Sequence, residues 1–199
     1  MLRTGKSSEP RTIAVAEVAG VTTKAHPYEE MLKGREPRFS DLAKCIPADQ
    51  YFLRFTSVAK LQELADFSQQ WGGSTMDSMD VGAREGGLRE RMQKQLCLPA
   101  TLLSRMLGPA IIKEMAITGS DPFFREGTDV TVIFDLRSPD LFRSAVDQYW
   151  KSAQTESGAT VSTADIAGTR AELATAPYRE VNVYRVFDGN LAIYSNSSA

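Results

Sequence analysis

Lys113–Trp150 reads KEMAITGSDPFFREGTDVTVIFDLRSPDLFRSAVDQYW, a strand, a tight loop, a second strand and a capped helix in unbroken succession. Within it, Val130, Val132, Phe134 and Leu136 fall on one face, and Thr131, Ile133 and Asp135 on the other. Period-two spacing in β-branched and aromatic residues marks a strand with one face in a core. Ile133 makes the second face partly apolar as well, which predicts a central strand rather than an edge. The helix that follows has Ser138 as N-cap, Pro139 at its first position and Asp140 at the positive end of the dipole. Leu141, Ala145 and Tyr149 run four apart, as do Phe142, Val146 and Trp150, so one wide apolar stripe is expected to lie on a sheet. Upstream, Glu114–Thr118 reads as a short strand. Gly119, Pro122 and Gly127 punctuate the connection, which predicts an antiparallel hairpin with an elaborated loop.

The 199 residues suffice for one large domain or one domain with an appendage. Apolar content of 42% and charged content of 24% are those of an ordinary globular chain. With a net charge of −2 and both signs interspersed, there is no electrostatic case for nucleic acid or an anionic membrane as partner. Cys45 and Cys97, with only His26 to assist and no CxxC, argue against zinc, which needs four organised ligands. Both cysteines sit among apolar neighbours and read as buried free thiols. No run approaches the roughly 20 apolar residues of a membrane helix. MLRTGKSSEPR lacks the apolar region of an export signal behind it.

Along the chain, residues 1–11 form a flexible lead-in and residues 12–199 a single domain, with 74–109 a helical insertion or flap. Thr12–Val18 alternates as a strand, and HPYEEMLKGREP gives a short helical turn around Tyr28–Lys33. Ser40 caps a second short helix stopped by Pro47. Tyr51–Phe55 is a strand. Thr56 or Ser57 then caps a helix through Trp71 that buries Val58, Leu61, Leu64, Ala65, Phe67 and Trp71. Leu88–Leu96 and Pro99–Leu107 are further helices. Thr160–Ile166 is a candidate strand, and Asp188–Gly189 between two β-rich runs signals a hairpin. YFLRFTSVAKLQELADFSQQW and TVIFDLRSPDLFRSAVDQYW share strand, cap, helix and terminal tryptophan. NLAIYSNSSA opens like a third copy, so the chain is expected to stop where another helix would start.

Asp121, Glu126 and Asp129, with Arg125 among them, are the candidate metal ligands, because calcium or another divalent cation takes several oxygens from such a loop. Their spacing matches no EF-hand, and Asp121 in SDP and Asp129 in GTD serve equally as turn residues that bond nearby backbone. Phe123 and Phe124 stand outside any periodic element, either as a partner surface with Arg125 or folded back as a lid. His26 has no nucleophile motif around it and no GxSxG is present, so no catalytic residue is assigned. Gly5-Lys6-Ser7 lacks the leading strand and glycine of a phosphate-binding loop.

At AITGSDPFFREGTDVTVIFDL, with the strand–helix repeat and the closing YSNSSA, the chain resembles a group of large, uncharacterised bacterial proteins of a domain-of-unknown-function class with envelope association. HPYEEMLKGREP and IPADQYFLRFTS carry the same resemblance, which covers most of residues 20–199. It implies a bacterial, multi-repeat scaffold at the envelope rather than in the cytoplasm, with no activity attached. These readings predict an α+β fold, a mostly antiparallel sheet with helices packed on one face in repeated strand–helix units. The expected function is that of a non-enzymatic structural or binding module of a larger bacterial protein. Its partner would be another protein or the rest of its own longer chain, with no nucleic acid, no membrane insertion and no cofactor beyond a divalent cation. The alternative is a metal-dependent enzyme or metal-binding domain using the 119–129 loop.

Overall fold

The alternating residues at 130–136 lie in the middle of a seven-stranded antiparallel sheet with the order β1-β2-β3-β7-β6-β5-β4. The strands are β1 (Tyr51–Phe55), β2 (Ile112–Gly119), β3 (Thr131–Leu136), β4 (Thr160–Ile166), β5 (Thr169–Thr175), β6 (Asn182–Asp188) and β7 (Leu191–Ser195). The helices are α1 (Tyr28–Leu32), α2 (Val58–Ser68), α3 (Leu88–Gln95) and α4 (Pro139–Glu156). This computed structural model describes residues 27–36, 39–68, 88–99, 108, 110–121 and 128–198. The strand expected at Thr12–Val18, His26, Trp71, the 74–87 segment, residues 100–107 of the helix expected at Pro99–Leu107 and the loop residues Phe123, Phe124, Arg125 and Glu126 lie outside the described residues. The side chains of Ala65 and Phe67 do so too.

The chain divides into two units, Met1–Phe39 and Ser40–Ala199. In the first, α1 follows Pro27 and ends at Lys33, where Gly34 turns the chain at φ +74°. Its apolar residues Tyr28, Met31 and Leu32 are all exposed.

The second unit holds the sheet. Strands β1, β2 and β3 form one meander and β4 to β7 another, and the two join where β3 pairs antiparallel with β7. The β2–β3 hairpin is the expected one, although β2 begins at Ile112 and runs on through Gly119. A Cβ on Gly119 would meet the Asp129 carbonyl oxygen at 2.3 Å, so glycine there permits a close approach of two backbones. The register slips between Ile112 and Glu114, a bulge at Lys113 that turns both Ile112 and Met115 toward the same core.

Val130, Val132, Phe134 and Leu136 all enter the main apolar cluster, as their spacing predicts, and Ile133 enters a second cluster on the opposite face with Leu42 and Ala116. The α4 stripe is narrower than expected. Phe142, Val146, Trp150 and Ala153 are buried and Ala145 and Tyr149 only partly so, whereas Leu141 is 59% exposed. Phe142, Val146, Trp150 and Ala153 form the row that faces the sheet, and Leu141 lies about 100° around the helix from Phe142, outside it. Ser138 occupies the N-cap position of α4, but its side chain makes no capping bond. Its backbone, at φ −135° and ψ 79°, lies outside the usual N-cap region, although its carbonyl accepts the Phe142 N–H at 3.1 Å. In α2, Ser57 does cap, accepting from the Lys60 N–H at 3.3 Å, while Leu64 is exposed rather than buried.

Ser40 also caps as expected, although what it opens is a 3-10 turn (Asp41–Cys45), and Cys45 is exposed rather than buried. Leu96, Cys97 and Leu98, just after α3, belong to the main cluster. They follow a Schellman stop, with Leu98 N–H on the Gln93 carbonyl (2.9 Å) and Cys97 N–H on that of Lys94 (3.1 Å).

Candidate functional site

Charge patterning inside the second meander builds the best-defined polar site among the described residues. Along β6, Val183, Arg185 and Phe187 share the face that meets α4, which places a guanidinium in phase with core residues. Its cross-strand partner on β5 is Glu172, and Glu172 in turn faces Thr163 on β4. Above them, Arg143, Asp147 and Trp150 recur at i, i+4 and i+7 on α4, one face of the helix.

The two rows meet. Arg185, only 5% exposed, donates from Nε to Glu172 Oε2 at 2.5 Å and from Nη1 to Asp147 Oδ1 at 2.7 Å. Its Cζ lies 3.9 Å over the Trp150 ring and 5.6 Å from that of Phe187. Arg143 stacks on the other side of the site, with Cζ 4.5 Å over Phe187 and Nη2 3.5 Å from Glu172 Oε1. Burial opposes the Arg185 charge, but the Tyr194 oxygen and the two carboxylates outweigh it and hold its pKa above the ordinary arginine value. A buried guanidinium with two carboxylates and an indole is fixed in one orientation. Glu172 and Asp147 are each 37% exposed, so water screens the set and removing one carboxylate costs less than in a fully buried pair.

Beside this clamp opens a groove of ≈ 210 Å³ lined by Arg143, Thr163, Arg170, Glu172, Arg185, Val186 and Phe187. Arg185 forms part of its wall, and Arg170 is exposed with no ion pair among the described residues. Three guanidiniums therefore line it against one carboxylate. The cleft offers hydrogen-bond donors in excess and one aromatic ring.

The sequence-predicted loop has a different character. Asp129 accepts both the Ser120 N–H, at 2.9 Å, and the Ser120 hydroxyl, bonds that tie the two ends of the loop together across nine residues. The Ser120 hydroxyl comes first among the groups that hold the Asp129 carboxyl below its usual range. Asp121 and Asp129 both lie near Tyr51, whose phenol is pushed up to about 12 by burial first and then by these carboxylates. Glu126, Phe123, Phe124 and Arg125 fall outside the described residues. Among the described residues no three His, Cys, Asp or Glu side chains are grouped to hold a metal ion.

Sequence reasoning missed the arginine groove, and the signal it passed over is specific. In Val181-Asn182-Val183-Tyr184-Arg185-Val186-Phe187 the inward phase carries an arginine, and in Arg170-Ala171-Glu172-Leu173-Ala174 the inward phase carries a glutamate. Charges in phase with core residues were the available signal, but only the register that sets Glu172 opposite Arg185 makes them partners. No helix of the described residues is long and apolar enough to cross a membrane. Compared with known protein families, with curated proteins and with solved structures, the chain finds no match.

Proposed function

We propose that this chain is a non-enzymatic binding or structural module of a larger bacterial protein, and that its binding face is the groove between α4 and strands β4–β6. The observation that carries the reading is the clamped Arg185 in the groove wall, held by Glu172, Asp147 and Trp150 before any ligand arrives. A site whose walls are already fixed loses little conformational entropy on binding. The scaffold beneath it is read as an antiparallel sheet with its α-helices on one face, in repeated strand–helix units. Val58 of α2 and Phe142, Val146 and Trp150 of α4 contribute to the same apolar cluster, which supports that arrangement. Bacterial origin, association with the cell envelope and a partner in another protein or in the rest of a longer chain rest on the resemblance of residues 20–199 alone.

The competing reading is a metal-dependent enzyme or metal-binding domain at the 119–129 loop, favoured by the approach of Asp121 and Asp129 to Tyr51. One experiment separates the two. The isotope-labelled full chain is titrated with a panel of small carboxylates, phosphates, amines and sugars, and separately with calcium, magnesium and manganese, while amide shifts and the integrity of each compound are followed. The module reading expects shifts at Arg143, Thr163, Arg170 and Phe187 with every compound left intact. Turnover of a compound, or shifts confined to Ser120, Asp121 and Asp129 on adding a cation, overturns it.

A further inference from the structure

We infer that the groove takes a compact oxyanion, a carboxylate or phosphate group, held between Arg143 and Arg170 against the wall formed by Arg185. The inference rests on reading this groove as the binding face and adds the chemistry of its ligand. The lining sets it. Arg185 is already matched by Glu172 at 2.5 Å and Asp147 at 2.7 Å, whereas Arg143 reaches only a 3.5 Å contact with a Glu172 carboxylate that Arg185 also uses. Arg170 lines the same groove and forms no ion pair among the described residues. Its cross-strand neighbour Asp165 instead accepts the Gly168 N–H at 2.9 Å within its own turn. Arg143, Arg170 and the Thr163 hydroxyl line one groove, and each guanidinium keeps N–H groups that pair with anion oxygens.

Size narrows the class further. At ≈ 210 Å³ the groove lies below the roughly 300–1,000 Å³ of sites that enclose drug-sized ligands, so it fits one anionic group with a few carbons. The Phe187 ring, stacked under Arg143, gives those carbons an apolar wall. A cation would meet three guanidiniums here and a neutral sugar would leave Arg170 without a counter-charge.

The test uses the full chain with inorganic phosphate, succinate, glycerol and choline as probes, and binding is followed by amide shifts and by titration calorimetry. Phosphate or succinate should shift Arg143, Thr163, Arg170 and Phe187. The affinity should fall by ~10-fold or more in Arg170→Glu and fall again as salt is raised. Arg170 is exposed, so the variant should stay folded with only the small loss that a glutamate facing Asp165 imposes, and Thr163→Val supplies a second, uncharged perturbation of the same groove. Preference for phosphate would identify a phosphorylated ligand, and preference for succinate a carboxylated one. Anion binding that Arg170→Glu and Thr163→Val leave unchanged overturns the inference. Shifts at the groove with glycerol or choline but with neither anion overturn the oxyanion assignment while leaving the groove as the binding face. Groove residues unmoved by all four probes and by the wider panel overturn both.

Discussion

Tyr194 is 1% exposed, and its hydroxyl makes no well-formed hydrogen bond among the described residues. Burial raises its pKa, and the nearby Arg185 guanidinium offsets only part of that rise. An unsatisfied buried hydroxyl costs about 1–3 kcal/mol, while the ring itself packs edge-on against Phe134, Phe142 and Phe187. Tyr194→Phe keeps the ring and removes the oxygen, so stability in guanidinium should rise, by at most about 1 kcal/mol because the oxygen also supports the Arg185 charge. A loss of similar size would mean that the oxygen is bonded after all. The two cysteines divide just as sharply. Cys45 is exposed, while Cys97 is buried in a left-handed helix stop at φ +54°, where glycine is the usual residue. Burial pushes its thiol up to about 11, with Arg185 acting in the opposite direction. At pH near 8 a thiol reagent should therefore modify Cys45 at once and Cys97 only at the rate of unfolding. Fast modification of both would contradict the packing around Leu96–Leu98.

The β4–β5 hairpin turns through Ala167 (φ +50°) and Gly168 (φ +83°), with Ile166 paired to Thr169, the geometry of a type I′ turn. Alanine tolerates the left-handed region poorly and asparagine well, so Ala167→Asn should stabilise the protein by about 0.5–1 kcal/mol. No change in the denaturation midpoint would show that the turn is not strained. In the β6–β7 hairpin the two loop residues are Gly189 (φ +54°) and Asn190, one position beyond the expected Asp188–Gly189, because Asp188 still pairs with Leu191. Helix α4 offers a test of its own facing. Phe142 is fully buried and lies 5.0 Å from Phe134, so Phe142→Ala should cost about 3–5 kcal/mol. Leu141→Ala, one residue away on the exposed side, should stay within about 0.5 kcal/mol. Comparable losses in both variants would restore the wider stripe read from the sequence.

Stability of the whole protein should fall at both ends of the pH scale, for separate reasons. Burial pushes the Glu114 carboxyl up, but the Ser40 hydroxyl at 2.7 Å, Arg54 at 2.6 Å and Lys113 together hold it below its usual value. Asp129 is likewise held low by Ser120. A depressed carboxyl contributes stability above its unfolded value of about 4, and that stability is lost as pH falls through the folded value. Cys97 at about 11 and Tyr51 at about 12 are raised, so their contribution is complete below the unfolded values of about 8.5 and 10 and is lost as pH climbs toward the folded ones. Denaturation midpoints measured across pH should thus form a plateau between about pH 5 and 8, with Glu114→Gln flattening the acid limb. An acid limb unchanged by that substitution would remove Glu114 from the account. Much of this molecule follows from local chemistry in the chain. The alternation of Val130 to Leu136 is enough for a central strand, Pro139 and the four-residue spacing through Trp150 for a long amphipathic helix, and Asp188–Gly189 for a hairpin, though one position off its loop, since each depends on neighbours within a few residues. β5 was not legible, because Thr169–Thr175 is small and polar and owes its conformation to β4 and β6 on either side. The same holds for the candidate site. Arg185 meets Glu172 and Asp147 across 13 and 38 residues of chain, and that meeting follows from strand order, register and the seating of α4, none of which any short stretch encodes.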